Sequence, residues 1–409
     1  MRVDATRLWA SVDRSAEFGR IAGGGLSRLA LSDADGAMRE QLVAWCREAQ
    51  LDVRVDAVGN VFARRTGAEP ALAPVAIGSH LDTQVHAGRY DGVLGVLAGL
   101  EVLRTLDAHG VRTRRPLELV CWTDEEGARF NTGMLGASAF TGRLGLADAL
   151  ARADADGVTV AAALARIGFP GEAPVPGHAL HAYLELHIEQ GSILDASGVD
   201  VGVVERAYPV YHLAVAFHGE TGHGGPPPMD ARRNALVGAA RAIAALDSIG
   251  RRHAPEARTN TSAIACWPNR AGIVPAEVTV RMDLRHPDGG ALEQLRDEAV
   301  AAFAIEAAAV GVRAEVVSCT RSGGQRFDDD CVEALEAAAR ERGHATVRMA
   351  TIAAHDATVI ADAFATAMVF CPCRGGVTHN PAEEVDRERV LPAVEVLMDA
   401  AVRLAEPLP

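Results

Sequence analysis

At 409 residues the chain is longer than one hydrophobic core usually organises, and the common domain size of roughly 100–200 residues implies two or three units. Hydrophobic residues make up 49% and charged residues 23% of it, the balance of a folded soluble protein and not of a disordered or membrane-spanning one. A formal charge of −14 argues against a nucleic-acid partner, because general phosphate-backbone affinity is built from clustered Lys and Arg.

In chain order, the first twenty residues interleave charges and carry no apolar stretch that could act as a signal-peptide core, so a cytoplasmic protein without export is expected. The apolar run VAIGS before residue 80 reads as a strand, GVLGVLAGLEVLRTL as a helix with apolar positions 93, 96, 97, 100 and 103, and LELVCW at 117–122 as a second strand. Such alternation predicts an α/β layer with a mixed, mainly parallel sheet flanked by helices. An Ala-rich segment at 148–168 predicts a helix, and the Pro- and Gly-dense 168–178 a loop. From residue 209 the pattern becomes strand, helix (MDARRNALVGAARAIAALDSIG), two strands, helix and strand, a βαββαβ unit inserted into the larger domain. The expected boundaries are 1–207 and 323–409 for the catalytic α/β domain and 208–322 for the insertion. Seven scattered cysteines, an odd number, argue against a disulfide framework, and Cys371 and Cys373 read as buried strand residues.

Acid and His motifs sit where the strand runs stop: HLD at 80–82, YDG at 90–92, DEEG at 124–127 and LHIEQG at 186–191, with THNPAEE near the C-terminus. The carboxyl ends of strands in open α/β sheets are where ligands gather, so these motifs can converge. Singly, each is more readily a structural His or a solvated turn. Jointly, His80, Asp91, Glu126, His187 and His379 offer three imidazoles and two carboxylates, a mixture suited to zinc, manganese or cobalt. Asp91 is suited to bridging, since a carboxylate can place one oxygen on each of two ions. Neighbouring residues at a strand end point oppositely, so Glu125 and Glu126 are expected to do different jobs.

With these motifs in view, GSHLDTQVHAGRYDGVLGVLAGLEVL, WTDEEGARF, LELHIEQG, HGETGHGGPPPMDARRNAL, VTVRMDLRHPD, AAHDA and GGVTHNPAEE together resemble the hydantoinase/carbamoylase group of amidohydrolases in the zinc aminoacylase and carboxypeptidase superfamily. The resemblance implies a catalytic domain holding two divalent metal ions, and an inserted lid that also makes a homodimer. It implies that His80, Asp91 and His187 hold one ion and Asp91, Glu126 and His379 the other. Glu125 would be the general base that activates water and then protonates the leaving nitrogen, and Asp82 the carboxylate that orients His80. From the lid, His223 would stabilise the oxyanion and Arg285 grip the substrate carboxylate, while Gln190 beside His187 would contact substrate.

The chain departs from the group's pattern in the lid. Gly272 stands where the group has an asparagine that helps hold the substrate carboxylate, and GHGGPPPM at 222–229 where it has AHAGxTPM. The implied reaction is metal-dependent hydrolysis of a linear amide or ureido C–N bond in a small carboxylate-bearing substrate, an N-carbamoyl amino acid or β-ureido acid. An alternative is the same chemistry on an N-acyl amino acid, dipeptide or unusual amine, because of Gly272. A non-catalytic small-molecule binder would require a broken metal set or a lost base. His86 reads as a loop residue, His355 as a structural hydrogen-bonding one, and Trp122 and Phe130 as packing.

Overall fold

The computed structural model describes residues 1–408. Its strands, in chain order, are β1 (Asp52–Val55), β2 (Val61–Arg65), β3 (Val75–His80), β4 (Leu117–Trp122), β5 (Ala182–Ile188), β6 (Val201–Ala207), β7 (Val210–His218), β8 (Gly222–His223), β9 (Arg258–Trp267), β10 (Ile273–Val274), β11 (Glu277–Arg285), β12 (Arg313–Ser322), β13 (Thr346–Thr351) and β14 (Thr366–Cys371). Contacts divide the chain into two units, Met1–Arg206 with Arg326–Pro409, and Ala207–Gln325.

The first unit is built on an eight-stranded sheet ordered β1-β2-β4-β3-β5-β14-β6-β13. Its centre is parallel: β4 with β3, β3 with β5, and β5 with β14. β2 runs antiparallel to β4, and β6 antiparallel to β14, which makes the sheet mixed. Strands β3, β4, β5 and β14 are buried at every position, as expected of central strands covered on both faces. The helix Val93–Ala108 is buried around nearly its whole circumference, which its run of Val, Leu, Ala and Gly allows. The apolar core of this unit reaches from Val3 to Ala405, so both chain segments build one interior.

The second unit has its own core, from Tyr211 to Val312, under an antiparallel sheet ordered β12-β7-β11-β9. Two helices, Ala235–Arg252 and Gly289–Ala308, pack on the sheet and on each other. The strand and helix order is the βαββαβ read from the sequence.

Two local expectations change, and one element is new. The helix predicted over 148–168 is two short helices, Leu146–Ala151 and Val160–Ile167. Asp154 breaks it, because its side chain accepts from the backbone N–H groups of Asp156 and Val158 and stabilises a turn instead. The long helix of the insertion starts only at Ala235, where Asn234 caps the N–H groups of Leu236 and Val237, and not at Met229. A two-stranded ribbon, β8 with β10, was not legible because each strand is only two residues long; it pairs His223 with Ile273, and the Gly224 N–H donates to the Gly272 carbonyl at 2.7 Å.

Candidate metal centre and active site

The parallel register assembles the site. β3 pairs with β5 at Ile77 opposite Leu184, and three residues further on His80, the last residue of β3, and His187, one before the end of β5, lie side by side, their rings 5.9 Å apart. Asp91 arrives from the turn that opens the Val93–Ala108 helix. Its fit depends on Gly92, which has φ +68° and whose hypothetical Cβ would lie 2.3 Å from the His80 ring, so no larger residue can bring Asp91 this close. Glu125 and Glu126 follow the end of β4, and His379 comes from the segment after β14.

The two oxygens of Asp91 face opposite sides. Oδ1 lies 3.1 Å from His187 Nε2 and 3.8 Å from His80 Nε2, while Oδ2 lies 3.3 Å from His379 Nε2. Glu126 Oε2 is also 3.3 Å from His379 Nε2, and Glu125 Oε2 is on the other side, 3.6 Å from His80 Nε2. Three groups of ligand-type atoms result: His80/Asp91/His187 and Asp91/Glu126/His379, which share one carboxylate, and Glu185/His187/His355 behind His187. In both buried imidazoles Nδ1 is engaged by a backbone carbonyl, His80 by that of Asp82 and His187 by that of Ile188, each at 2.9 Å. With Nδ1 so occupied, Nε2 is the nitrogen turned toward Asp91 in both rings, as in metal-ligating histidines, and at His187 it also accepts from the Gly92 N–H at 3.2 Å.

The electrostatics favour cations here. Burial pushes Glu126 up to about 8, aided by the Asp91 charge, and pushes Glu125 well above the usual carboxylate range, aided by Asp356. Burial also acts against ionised Asp91, but the surrounding imidazoles, His187 foremost, hold it well below its ordinary value. Burial lowers His80 to about 4, a neutral ring able to donate a lone pair. One Glu126 oxygen is buried without a hydrogen-bond partner. A set of buried acids whose ion-pair partners, among the described residues, are imidazoles is chemically matched to divalent ions.

Asp82 works differently from expectation. Its carboxylate is 3.9 Å from His80 Nδ1, too far for a hydrogen bond, and it is the Asp82 carbonyl that holds the imidazole. The carboxylate instead accepts from the backbone N–H groups of Glu125 at 3.3 Å and Glu126 at 3.2 Å. The two glutamates thus diverge in a turn beyond the strand, after Asp124 at φ +56°, and not through strand pleating. Gln190 donates to Asp91 Oδ2 at 2.7 Å, so it touches the shared carboxylate itself. His355 is buried against His187, ring centroids 4.4 Å apart, with Nε2 unpartnered; the expected hydrogen-bonding role is absent at that atom. Trp122 and Phe130 are buried packing residues and His86 is exposed.

Sequence reasoning missed three supports. Glu383 accepts from the N–H groups of Tyr90 and Asp91 at 2.8 and 3.2 Å, Thr378 donates to Asp91 Oδ2 at 2.9 Å, and Gln84 donates to Glu126 Oε2 at 2.9 Å. Thr378 and Glu383 flank His379 within THNPAEE, so the motif carried a signal beyond its histidine. The remaining predicted residues lie in the second unit: His223 and Gly272 at the β8/β10 ribbon, and Arg285 at the end of β11, where its Nε donates to Asp283 at 3.0 Å.

Residues 76–403 match the family described as peptidase family M20/M25/M40. The chain is 39% identical to an N-carbamoyl-L-amino-acid amidohydrolase of Rhizobium meliloti, over 99% of this chain and 97% of that one. The crystal structure of an amidase of the hydantoinase/carbamoylase family from Burkholderia vietnamiensis superimposes with a TM-score of 0.92 at 40% identity, covering 99% of this chain and 98% of that chain. The chain belongs to the hydantoinase/carbamoylase amidases of the M20 superfamily. An allantoate amidohydrolase of Bacillus subtilis is 32% identical, with 95% of both chains covered. As a hydantoinase/carbamoylase amidase, the protein is a hydrolase acting on C–N bonds, and its acid and His clusters are of the kind that suits divalent metal ions.

Proposed function

We propose that the protein hydrolyses a linear ureido or amide C–N bond in a small carboxylate-bearing substrate, foremost an N-carbamoyl amino acid or β-ureido acid. The observation that carries the reaction type is the division of Asp91, with Oδ1 toward His80 and His187 and Oδ2 toward His379. His80, Asp91 and His187 would hold one divalent ion, and Asp91, Glu126 and His379 the other. Bound there, the ions supply the positive charge that polarises the scissile carbonyl and acidifies water. Glu125, placed on the His80 side and raised by burial, is the group that takes a proton at its carboxylate and returns it to the leaving nitrogen. Asp82 holds the backbone that keeps Glu125 and Glu126 apart. In the second unit we assign His223 to the oxyanion and Arg285 to the substrate carboxylate, in a homodimer formed through that unit; the family resemblance supports these roles.

The relative from Rhizobium meliloti, named for N-carbamoyl-L-amino acids, favours that substrate class. A longer ureido acid is the second reading, favoured by the allantoate amidohydrolase relative and by Gly272, which brings no side chain next to Ile273, the ribbon partner of His223. Protein reconstituted with manganese or zinc should release ammonia from N-carbamoyl amino acids, with carbon dioxide in equal amount. Ammonia-free hydrolysis of N-acyl amino acids alone would replace this reading, and tight binding without turnover would point to a non-catalytic binder.

A further inference from the structure

Two guanidinium groups, Arg28 and Arg39, are fully buried, and both lie before residue 76, outside the matched family region. An arginine removed from water costs several kcal/mol unless its donors are satisfied, so what each one holds is informative. Arg39 forms a buried pair with Asp35, Nε to Oδ2 at 2.7 Å, both side chains 0% exposed. Its remaining donors reach the Gly59 carbonyl at 2.6 Å and Thr123 Oγ1 at 3.3 Å. Thr123 opens the turn that carries Glu125 and Glu126, and its own N–H donates to Asn60 at 3.0 Å, next to Gly59. Arg28 donates from Nε to the Leu81 carbonyl at 2.8 Å, between His80 and Asp82, and from Nη1 to the Ser15 and Phe18 carbonyls at 2.9 and 3.0 Å, with Nη2 buried and unpartnered, while its backbone N–H and carbonyl exchange 2.9 Å bonds with Thr83. Asp82 then joins the two turns by accepting from Glu125 and Glu126.

The bonds form a connected frame: Arg28 to the 80–83 turn, Asp82 across to the 124–126 turn, and Thr123 back to Arg39. We infer that Arg28 and Arg39 are positioning residues of the cation centre, Arg28 setting the His80 turn and Arg39 the turn of Glu125 and Glu126, so that the distance between base and ligands is imposed from the N-terminal segment. Each acts through the turn it holds and not through a ligand atom of the centre. Their charge fits the same task, since each guanidinium lies close enough to Asp82 and Asp35 to interact with both electrostatically. The inference rests on the two-cation reading above.

The test uses Arg39→Met together with Asp35→Asn in one variant. This removes the buried charge pair as a unit, which folded proteins tolerate far better than a single orphaned charge, while the introduced amide keeps an acceptor for the Leu31 N–H that Asp35 now serves. Manganese stoichiometry and affinity, read by competition with a chelator, should show two sites per chain in the wild type. In the folded double variant the affinity should be weaker by about 10- to 100-fold, the range seen on loss of outer partners of a metal site, with kcat falling and KM changing far less. Arg39→Lys should recover only part, because one ammonium cannot span the three acceptors. Should the double variant not fold, Thr123→Val removes only the hydroxyl that Arg39 reaches and should shift manganese affinity the same way. Wild-type affinity and kcat in the folded double variant, or in Thr123→Val, would overturn the inference and leave the two-cation reading standing. A wild type that binds fewer than two manganese ions would instead remove the reading and the inference with it.

Discussion

At the residue scale, the proposed division of labour between Glu125 and Glu126 rests on the sides of the centre they face. Glu126 faces His379 and Glu125 faces His80. Glu125→Gln should retain both metals by elemental analysis and lose turnover by at least about 100-fold, the scale of a general acid–base contribution; loss of metal instead would reverse the two assignments. Gly272 has φ +78° and open space around a hypothetical Cβ, and Asn is among the few side chains that accept such a backbone. Gly272→Asn should therefore fold, at a cost of about 1 kcal/mol, and raise kcat/KM on N-carbamoyl amino acids. An unaltered substrate profile would mean that this position does not set specificity.

At the element scale, charges are buried inside strands because the sheet brings partners across. Glu118 on β4 is opposite Arg64 on β2 and accepts from its Nε at 2.6 Å and from His178 Nε2 at 2.5 Å. Burial works to raise the Glu118 carboxyl, but His178 and then Arg64 outweigh it and hold it below the usual range. A depressed folded-state pKa stabilises the protein above the unfolded-state value and ceases to do so as pH falls through the folded one. Glu118→Gln should lower stability by about 2 kcal/mol at neutral pH, and the Tm difference from wild type should shrink below pH ~4. A difference independent of pH would assign the loss to packing. On the other unit, Asn234→Ala should cost about 1 kcal/mol by uncapping the Ala235–Arg252 helix, visible as a lower denaturant midpoint.

At the scale of the whole molecule, two separate cores imply two responses to metal. All five proposed ligands belong to the first unit and none to Ala207–Gln325. A divalent ion held by the proposed ligands favours the folded unit, so by mass action free manganese at about 1,000 times its Kd should add about 4 kcal/mol to that unit. Calorimetry with and without a chelator should show one transition moving and the other unmoved; a single transition moving as one would show that the units unfold together. Much of this organisation was legible in the chain. The buried strands announced themselves as unbroken apolar runs, and the βαββαβ order followed from periodicity. The N-terminal β1 and β2 and the β8/β10 ribbon did not, because strands as short as DVRV and GH give too few positions for a pattern to stand out.

The sequence by itself determined which residue types could meet: three imidazoles and two carboxylates in motifs at or beyond strand ends, where a parallel sheet gathers its loops. It could not determine which atom of each residue would be used. Only the tertiary structure assigned the Asp82 carbonyl to His80 and the Asp82 carboxylate to the glutamate backbone, and only it connected Arg28 and Arg39 to turns tens of residues away. The physical reason is that strand periodicity sets which face a side chain shares, whereas hydrogen bonds are selected by distances of a few tenths of an ångström between segments that the chain does not place side by side.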